Sequence, residues 1–401
     1  MTMTHETSSA SFLPGPSAPP RLRVAAIMDT WIVSGPGRQL AALSQALRTH
    51  GIELRIFMFQ RIGRPPSPFI AYLERAGVSH VVIPDGGPMD LSLPRRLGQA
   101  LGEWRPDIVQ THGYRLTALI FLLRLAGQKL PWIAFFHGAT DENWKMRLYN
   151  QLDRILLRRA DRLVVLSEEN RRVFADATER LRLIHNASFP IPPDGEPVRL
   201  DHLRQEGRPL IAAVSRLSPE KGLDLLIEAV ARLSAAGKPI SLVIAGDGQE
   251  RTALERQAET LGIGDRVHFL GMVRNVTSLY SQVDAVVLPS RPGREGLPNV
   301  LLEAMRADAP VVATAAGSVP EVLAVPGSGE LVRPGDVDAL VEGIGAALAR
   351  GRSPEAAAAR IEAIGRFSLE RRVAAHLSLY AEVRPDLIAR APLGAAVAAA
   401  T

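Results

Sequence analysis

Four groups of residues have the types and spacing to do chemistry. Glu295 and Glu303 stand in REGLPNVLLEAM (294–305), either side of a Gly-Leu-Pro-Asn stretch. Arg216 and Lys221 stand in SRLSPEKGL, separated by the turn Ser218-Pro219. His112 and His137 each end a short apolar run and precede a glycine, in QTHGY and FFHGA. Gly35 and Gly37 follow another such run, in SGPGRQL. Two cations at a helix entrance suit an anion, because Arg grips phosphate bidentately and Lys adds a compact charge. A carboxylate facing a cleft suits sugar hydroxyls, as in the ribose contact of dinucleotide sites. A strand-end histidine can bond a hydroxyl or phosphate, or handle a proton. Paired glycines before a helix let backbone approach a phosphate, although Leu40 stands where a G-x-G-x-x-G would place its third glycine.

Each group has a plainer reading. The cations could be ordinary surface charges at a helix entrance. Glu303 could be a solvated helix residue, and Glu295 a helix-start carboxylate. His112 could be satisfied by backbone, which is the expectation adopted for it.

Other chemistries are excluded by what the chain lacks. With no cysteine there is no disulfide framework, thiolate metal site or thiol nucleophile, and a reducing compartment is the natural setting. There is no H-E-x-x-H, no G-x-S-x-G elbow and no G-K-[ST] phosphate loop. The longest apolar run, LTALIFLL (116–123), is far short of the roughly 20 residues that span a bilayer. Residues 1–20 lack a basic start and an apolar core, so they read as a flexible tail and no targeting signal is expected.

Elements must position these groups, and the pattern says which. Apolar, β-branched runs recur at 22–28, 52–59, 78–84, 106–111, 132–137 and 162–167. Between most of them lie amphipathic stretches such as RQLAALSQALRTHG (38–51), with Leu40, Leu43 and Leu47 at helical spacing before Gly51. The alternation pauses at 187–208, a proline- and charge-rich linker. It resumes with strands at 209–215, 240–246, 267–271, 285–290 and 310–315. Strand–helix alternation in a chain of 401 residues implies two doubly wound α/β domains around a cleft. In such sheets ligands bind beyond the carboxyl ends of the strands, which is where all four groups fall. Pro298 suits the first turn of a helix reaching about Ala307, and Gly296 suits close approach of backbone to a ligand.

The net charge of +5 is uneven: residues 1–200 carry 25 Lys+Arg against 18 Asp+Glu, a surplus of +7. A basic first half favours an anionic partner, or is simply an Arg-rich solvated surface. MRLYNQLDRILLRRADR (146–162) sets Leu148, Leu152, Ile155 and Leu156 against Arg147, Arg154 and Arg158. Such a helix either packs its apolar side into the core or lies on an anionic membrane. The core-facing reading is the expectation, with peripheral membrane contact kept as the alternative.

Several of these pieces together resemble the retaining glycosyltransferases of family four, which have the GT-B fold of two Rossmann-like domains. The stretches that carry it are 214–233, 242–273, 289–323 and 331–344, and more loosely SGPGRQL, DIVQTHG, WIAFFHG and LVVLSEENRR. The likeness covers roughly 21–385 and departs at GSGELV (327–332), where the family more usually has a threonine-glycine-leucine run.

The resemblance implies an acceptor domain at 21–195, joined by a crossover helix at about 369–385, and a donor domain at 205–366. Tails would lie at 1–20 and 387–401. It implies a nucleotide-diphosphate sugar as donor, with Arg216 and Lys221 neutralising the diphosphate and Glu303 holding the ribose. Glu295 would meet the transferred sugar, with Gly296, Leu297 and Asn299 in contact. Val273 would lie near the base, Gly35 and Gly37 over the diphosphate, and His137 near the transferred sugar. His112 is assigned to the acceptor side. The expected reaction is metal-independent and cofactor-free, on a glycan or lipid-linked acceptor, in the cytoplasm or at the inner face of the cell membrane. No nucleic-acid partner is expected. A non-catalytic nucleotide-sugar-binding protein, or a GT-B epimerase or phosphorylase, are the alternatives.

Overall fold

The computed structural model describes residues 20–87, 90–138, 144–192, 195–204, 207–292 and 296–388. Its first seven strands are β1 (Leu22–Met28), β2 (Ile52–Arg61), β3 (His80–Asp85), β4 (Ile108–His112), β5 (Trp132–Phe136), β6 (Arg162–Val165) and β7 (Leu181–Leu183). They pair in the order β3-β2-β1-β4-β5-β6-β7. Six more form a second sheet: β8 (Leu210–Val214), β9 (Ser241–Ala245), β10 (Val267–Gly271), β11 (Ala285–Leu288), β12 (Val311–Thr314) and β13 (Glu330–Val332). Their order is β10-β9-β8-β11-β12-β13. Every pairing is parallel.

The runs are strands because helices cover both faces. A parallel strand sheathed on both sides needs a continuous apolar sequence, not an alternating one. Val24, Ala25, Ala26 and Ile27 of β1 are all fully buried, as are Leu242, Val243 and Ile244 of β9. Each large aliphatic side chain so buried contributes about 1.5–3 kcal/mol. The two faces of each sheet carry separate apolar clusters.

Six helices matter for function: α1 (Gly35–Arg48), α2 (Tyr114–Leu125), α3 (Trp144–Leu157), α4 (Leu223–Ala235), α5 (Asn299–Arg306) and α6 (Leu369–Val383). Helix α1 buries Leu40, Leu43 and Leu47, the spacing seen in the sequence. Helix α6 comes from the end of the chain yet packs Val373, Leu377 and Tyr380 into the cluster beneath β1 and β2. Two chain segments lie side by side there, joined by a bridge between Ser188 and Ser368.

The structure corrects several expectations. Strands β7 and β13 escaped the sequence reading because three residues are too short to show a period. The third strand begins at His80 rather than at position 78. Pro298 is the cap before α5, not a residue of its first turn. Leu387 and Ile388 belong to a short helix, with Ile388 packed into the first sheet's core, so the tail does not begin at 387. The amphipathic segment is helical, but its Leu148, Leu152 and Ile155 are exposed while Leu156 and Leu157 are buried. Three of the four residues on the apolar side read from the sequence therefore face away from the core.

Candidate active site

Both sheets have the same switch point. Strand order reverses between β1 and β4 in the first and between β8 and β11 in the second. At such a point the loops leaving two neighbouring strands diverge to opposite faces and leave a crevice. The loop after β1 carries Gly35 and Gly37, and His112 ends β4. The loop after β8 carries Arg216 and Lys221, and the segment after β11 leads into α5 and Glu303. Glu295 lies outside the described residues.

The two crevices face each other. Arg38, on the first turn of α1, reaches across to Glu303: its Nη2 is 2.9 Å from Oε1. The Tyr280 hydroxyl donates to the other carboxylate oxygen at 3.3 Å. Glu303 is 11% exposed and Arg38 16%, so the pair is nearly closed to solvent. Burial pushes the Glu303 carboxyl up, while Arg38 and Tyr280 pull it back. Gln39 donates to Asn299 Oδ1 at 3.0 Å, and Asn186 donates to the Leu297 carbonyl at 3.4 Å. Glu321 accepts from the Glu168 amide and meets His185 at 3.0 Å.

Glycine governs the fit at this seam. A Cβ on Gly35 would lie 2.4 Å from Asn299 Nδ2, and one on Gly296 would lie 3.3 Å from the His137 carbonyl. At Gly37 the space is taken by the Phe69 ring, 2.9 Å from where a Cβ would sit. Gly37 is thus required by packing inside its own domain. Pro298 supplies no side-chain cap to α5, and the Leu297 side chain is buried in the core beneath.

In the second domain, Ser215–Gly222 is braced by its neighbours. Gly222 has a φ of +64°, and a Cβ there would lie 2.2 Å from the Pro289 carbonyl. A Cβ on Gly246 would lie 1.8 Å from the Ser215 carbonyl. These contacts fix the two cations just ahead of α4. Arg216 is exposed and pairs with Glu220 at 3.0 Å. Burial raises the Glu220 carboxyl, but the Ser218 hydroxyl, Arg216 and Lys221 hold it below the usual range. Val273 follows β10, the edge strand, two strands from the switch point.

The histidines form a unit that the sequence did not reveal. Strand register sets His112 beside Phe135, and His137 follows one residue beyond β5. His112 Nδ1 lies 3.0 Å from His137 Nε2. His112 is therefore partnered by His137 and not by backbone, contrary to expectation. Burial, then the charge of Arg372, depresses His137 to about 4. His112 falls well below its ordinary value for the same first cause. Both rings are neutral at pH 7.

Helix α6 supplies the floor. His112 stacks on Phe135 at 4.5 Å, Phe135 on His376 at 5.8 Å, and His376 meets the Tyr380 edge at 5.8 Å. Gln110 donates to the Tyr380 hydroxyl at 2.7 Å. Arg372 donates through Nη1 to Gln39 Oε1, Asn186 Oδ1 and the His185 carbonyl, so a buried cation ties α1 to the segment entering the linker. Arg372, His376 and Tyr380 recur every four residues. That stripe of polar and aromatic residues on an otherwise ordinary amphipathic helix was the available signal. Arg38 was signalled only by its place beside Gly37.

Two parallel sheets meeting through their switch-point loops are the GT-B arrangement, and solved glycosyltransferases share it. HepE of Anabaena, crystallised with UDP and glucose, superposes with a TM-score of 0.75 at 22% identity, covering 90% of this chain and 100% of that one. Sucrose-phosphate synthase from Thermosynechococcus elongatus gives 0.73 at 20% identity, covering 91% and 100%. Residues 196–364 match the family of glycosyl transferases group 1, and residues 34–187 match the glycosyl transferase 4-like domain. The chain belongs to this family and is a glycosyltransferase of the family-four type.

Among characterised relatives, the 2-deoxystreptamine glucosyltransferase of Streptomyces kanamyceticus is 29% identical over 57% of this chain and 67% of its own length. The alpha-D-kanosaminyltransferase of the same organism is 34% identical over 40% and 44%. A GDP-mannose-dependent phosphatidylinositol monomannoside mannosyltransferase of Mycolicibacterium smegmatis is 34% identical over 36% and 40%. The chain thus matches less than half the length of the last two relatives.

Proposed function

We propose that this glycosyltransferase moves a sugar from a nucleoside-diphosphate donor to a glycan or lipid-linked acceptor, with retention at the anomeric carbon and without a divalent metal. The observation that carries the reading is the set of groups gathered around the two switch points: a carboxylate on α5, two cations after β8, and two neutral histidines at the ends of β4 and β5. The nucleotide-bound HepE and the phosphatidylinositol mannoside relative support the donor and acceptor classes.

The chemistry follows from charge. When the C1–O bond of the donor breaks, both electrons leave with the diphosphate. Arg216 and Lys221 stand where fixed positive charge lowers that barrier without solvent reorganisation. Glu303 takes the ribose hydroxyls and Glu295 the transferred sugar. A neutral His137 can hydrogen-bond that sugar without repelling positive charge building at C1. The acceptor oxygen then attacks from the face the diphosphate has left, and its proton passes to a departing phosphate oxygen.

The chain would work in the cytoplasm, where nucleotide sugars are made. Among the described residues no helix is long and apolar enough to cross a membrane.

A thermal-shift panel of UDP, GDP, ADP and CDP tests the donor class. Ligand at about 100 times its Kd stabilises by roughly 2.7 kcal/mol, a readable shift. The nucleotide sugar so identified is then turned over with and without EDTA, and the product anomer is read by NMR. An inverted product, or activity abolished by EDTA and restored by magnesium, overturns the corresponding half of the reading.

A further inference from the structure

Among the described residues two arginines are buried, Arg360 and Arg372. Arg360 has the ordinary arrangement, with the Asp308 carboxylate 2.9 Å away. Arg372 does not. It is 5% exposed, and its acceptors are all neutral: Gln39 Oε1 at 3.0 Å, Asn186 Oδ1 at 2.9 Å and the His185 carbonyl at 3.2 Å. All three are reached by Nη1, while the buried Nε has no partner. Glu303 is taken by Arg38 and Tyr280, Glu321 meets His185, and Glu370 on the same helix is exposed. No carboxylate of the described residues pairs with Arg372. Burial depresses the guanidinium to about 10, so it remains charged at pH 7. A buried charge that cannot be shed normally needs a counter-ion. Its place as the fourth residue of α6, near the positive end of the helix dipole, adds to that need.

The unneutralised charge sits beneath the seam. Gln39 carries the contact on to Asn299 Oδ1 at 3.0 Å, and Asn186 carries it to the Leu297 carbonyl at 3.4 Å. Leu297 and Asn299 flank the turn into α5, and Asn299 lies against Gly35. Two separate routes therefore place Arg372 one residue away from the loop expected to meet the donor. Its field enters the same space from the other side. Burial first, and the charge of Arg372 with it, holds His137 and His376 low. A cation fixed by neutral dipoles, with no counter-ion of its own, stabilises an anion that arrives later, because no group has to reorganise.

We propose that Arg372 is a positioning residue for the donor: a buried cation left without a protein counter-ion, whose counter-charge is the diphosphate of the bound nucleotide sugar. It acts from behind Gln39 and Asn186 without touching the phosphates, and adds to the charge of Arg216 and Lys221. This rests on the transferase reading, which supplies the diphosphate.

Asn186→Asp tests it, because that change sets a carboxylate 2.9 Å from Nη1 at nearly constant shape. The full chain and its variants are titrated by competition calorimetry with UDP, GDP, ADP and CDP, and with the four matching nucleosides. The ratio of diphosphate to nucleoside affinity isolates the charge. A unit charge about 10 Å away, at the effective dielectric of about 20 that suits buried sites, changes anion affinity by about tenfold. Asn186→Asp should therefore cut the ratio about tenfold, and Arg372→Met should do the same. Asn186→Ala loses the same Leu297 contact without adding charge, so its ratio should stay several-fold above that of Asn186→Asp. Arg372→Lys keeps the charge and should keep most of the ratio. Melting temperatures report that each variant is folded. An unchanged ratio in folded Asn186→Asp overturns the proposal, and so does an equal loss in Asn186→Ala, which would show a role in contact alone; both leave the transferase reading intact. A wild type that binds none of the four diphosphates overturns the donor reading, and this proposal with it.

Discussion

Consider Glu303→Gln, a change of charge at nearly constant shape. The carboxylate has about four acceptor positions. Arg38 takes one at 2.9 Å and the Tyr280 hydroxyl one at 3.3 Å, leaving about two for a ribose diol. A hydrogen bond to a charged acceptor contributes about 1.5–3 kcal/mol, and a neutral one about 0.5–1.5. The amide keeps an oxygen for Tyr280 but weakens both ribose bonds by about 1–1.5 kcal/mol each. Two such losses make nucleoside diphosphate bind roughly 30- to 150-fold more weakly. Calorimetric titration with the nucleotide and with its 2′,3′-dideoxy counterpart isolates the effect. The wild type should prefer the ribose form by a similar factor, and the variant should lose that preference. Equal affinity of the wild type for both forms, or an undiminished preference in the variant, would refute the reasoning. Arg38 supplies a second arm. Burial raises this carboxyl and the guanidinium opposes the rise, so in Arg38→Met the group is protonated at a higher pH. Nucleotide affinity of that variant should weaken as pH falls, starting at a higher pH than in the wild type.

Lys221→Ala should reduce turnover by roughly 10²–10³, because the lost charge acts on the departing diphosphate; initial rates at saturating donor check this. Gly222→Ala puts a Cβ within 2.2 Å of the Pro289 carbonyl at a φ of +64°. A lower melting temperature and a loss of turnover are expected, because the loop that holds Lys221 must shift. Acid should destabilise the fold through its histidines. His137 and His376 titrate at about 4 and about 3 when folded, well under the ordinary 6.5. The folded state therefore binds fewer protons, so their stabilisation is complete above pH 6.5 and is lost progressively as pH falls toward those values. A series of denaturant melts from pH 7.5 to 4.5 should show a decline that is shallower in His376→Gln.

Much of the architecture was legible. Runs such as LRVAAIM and ISLVIAG are apolar without alternation because parallel strands sheathed by helices bury both faces, and that needs no knowledge of the partner strand. Leu40, Leu43 and Leu47 declare α1 because helical periodicity is set within two turns. Arg216 and Lys221 could be placed ahead of α4 from Ser218-Pro219 and Gly222, since turn chemistry is local. The outer leucines of α3 mark the limit of such reasoning: periodicity showed an apolar side but could not say which side faces the sheet.

The pairings that make the site lie beyond local reach. Arg38 and Glu303 are 265 residues apart, and Arg372 and Gln39 are 333. His112 meets His137 only because β4 and β5 are neighbours in the sheet with His112 opposite Phe135. The sequence by itself determined most of the elements, their division between two sheets and the strand ends where chemistry would gather, because each depends on residues a few positions apart. The tertiary structure alone decided which strand ends face one another, which carboxylate is buried against which cation, and which rings lose their charge. Those outcomes depend on strand order and on desolvation at the seam, and neither is a property of any short stretch of chain.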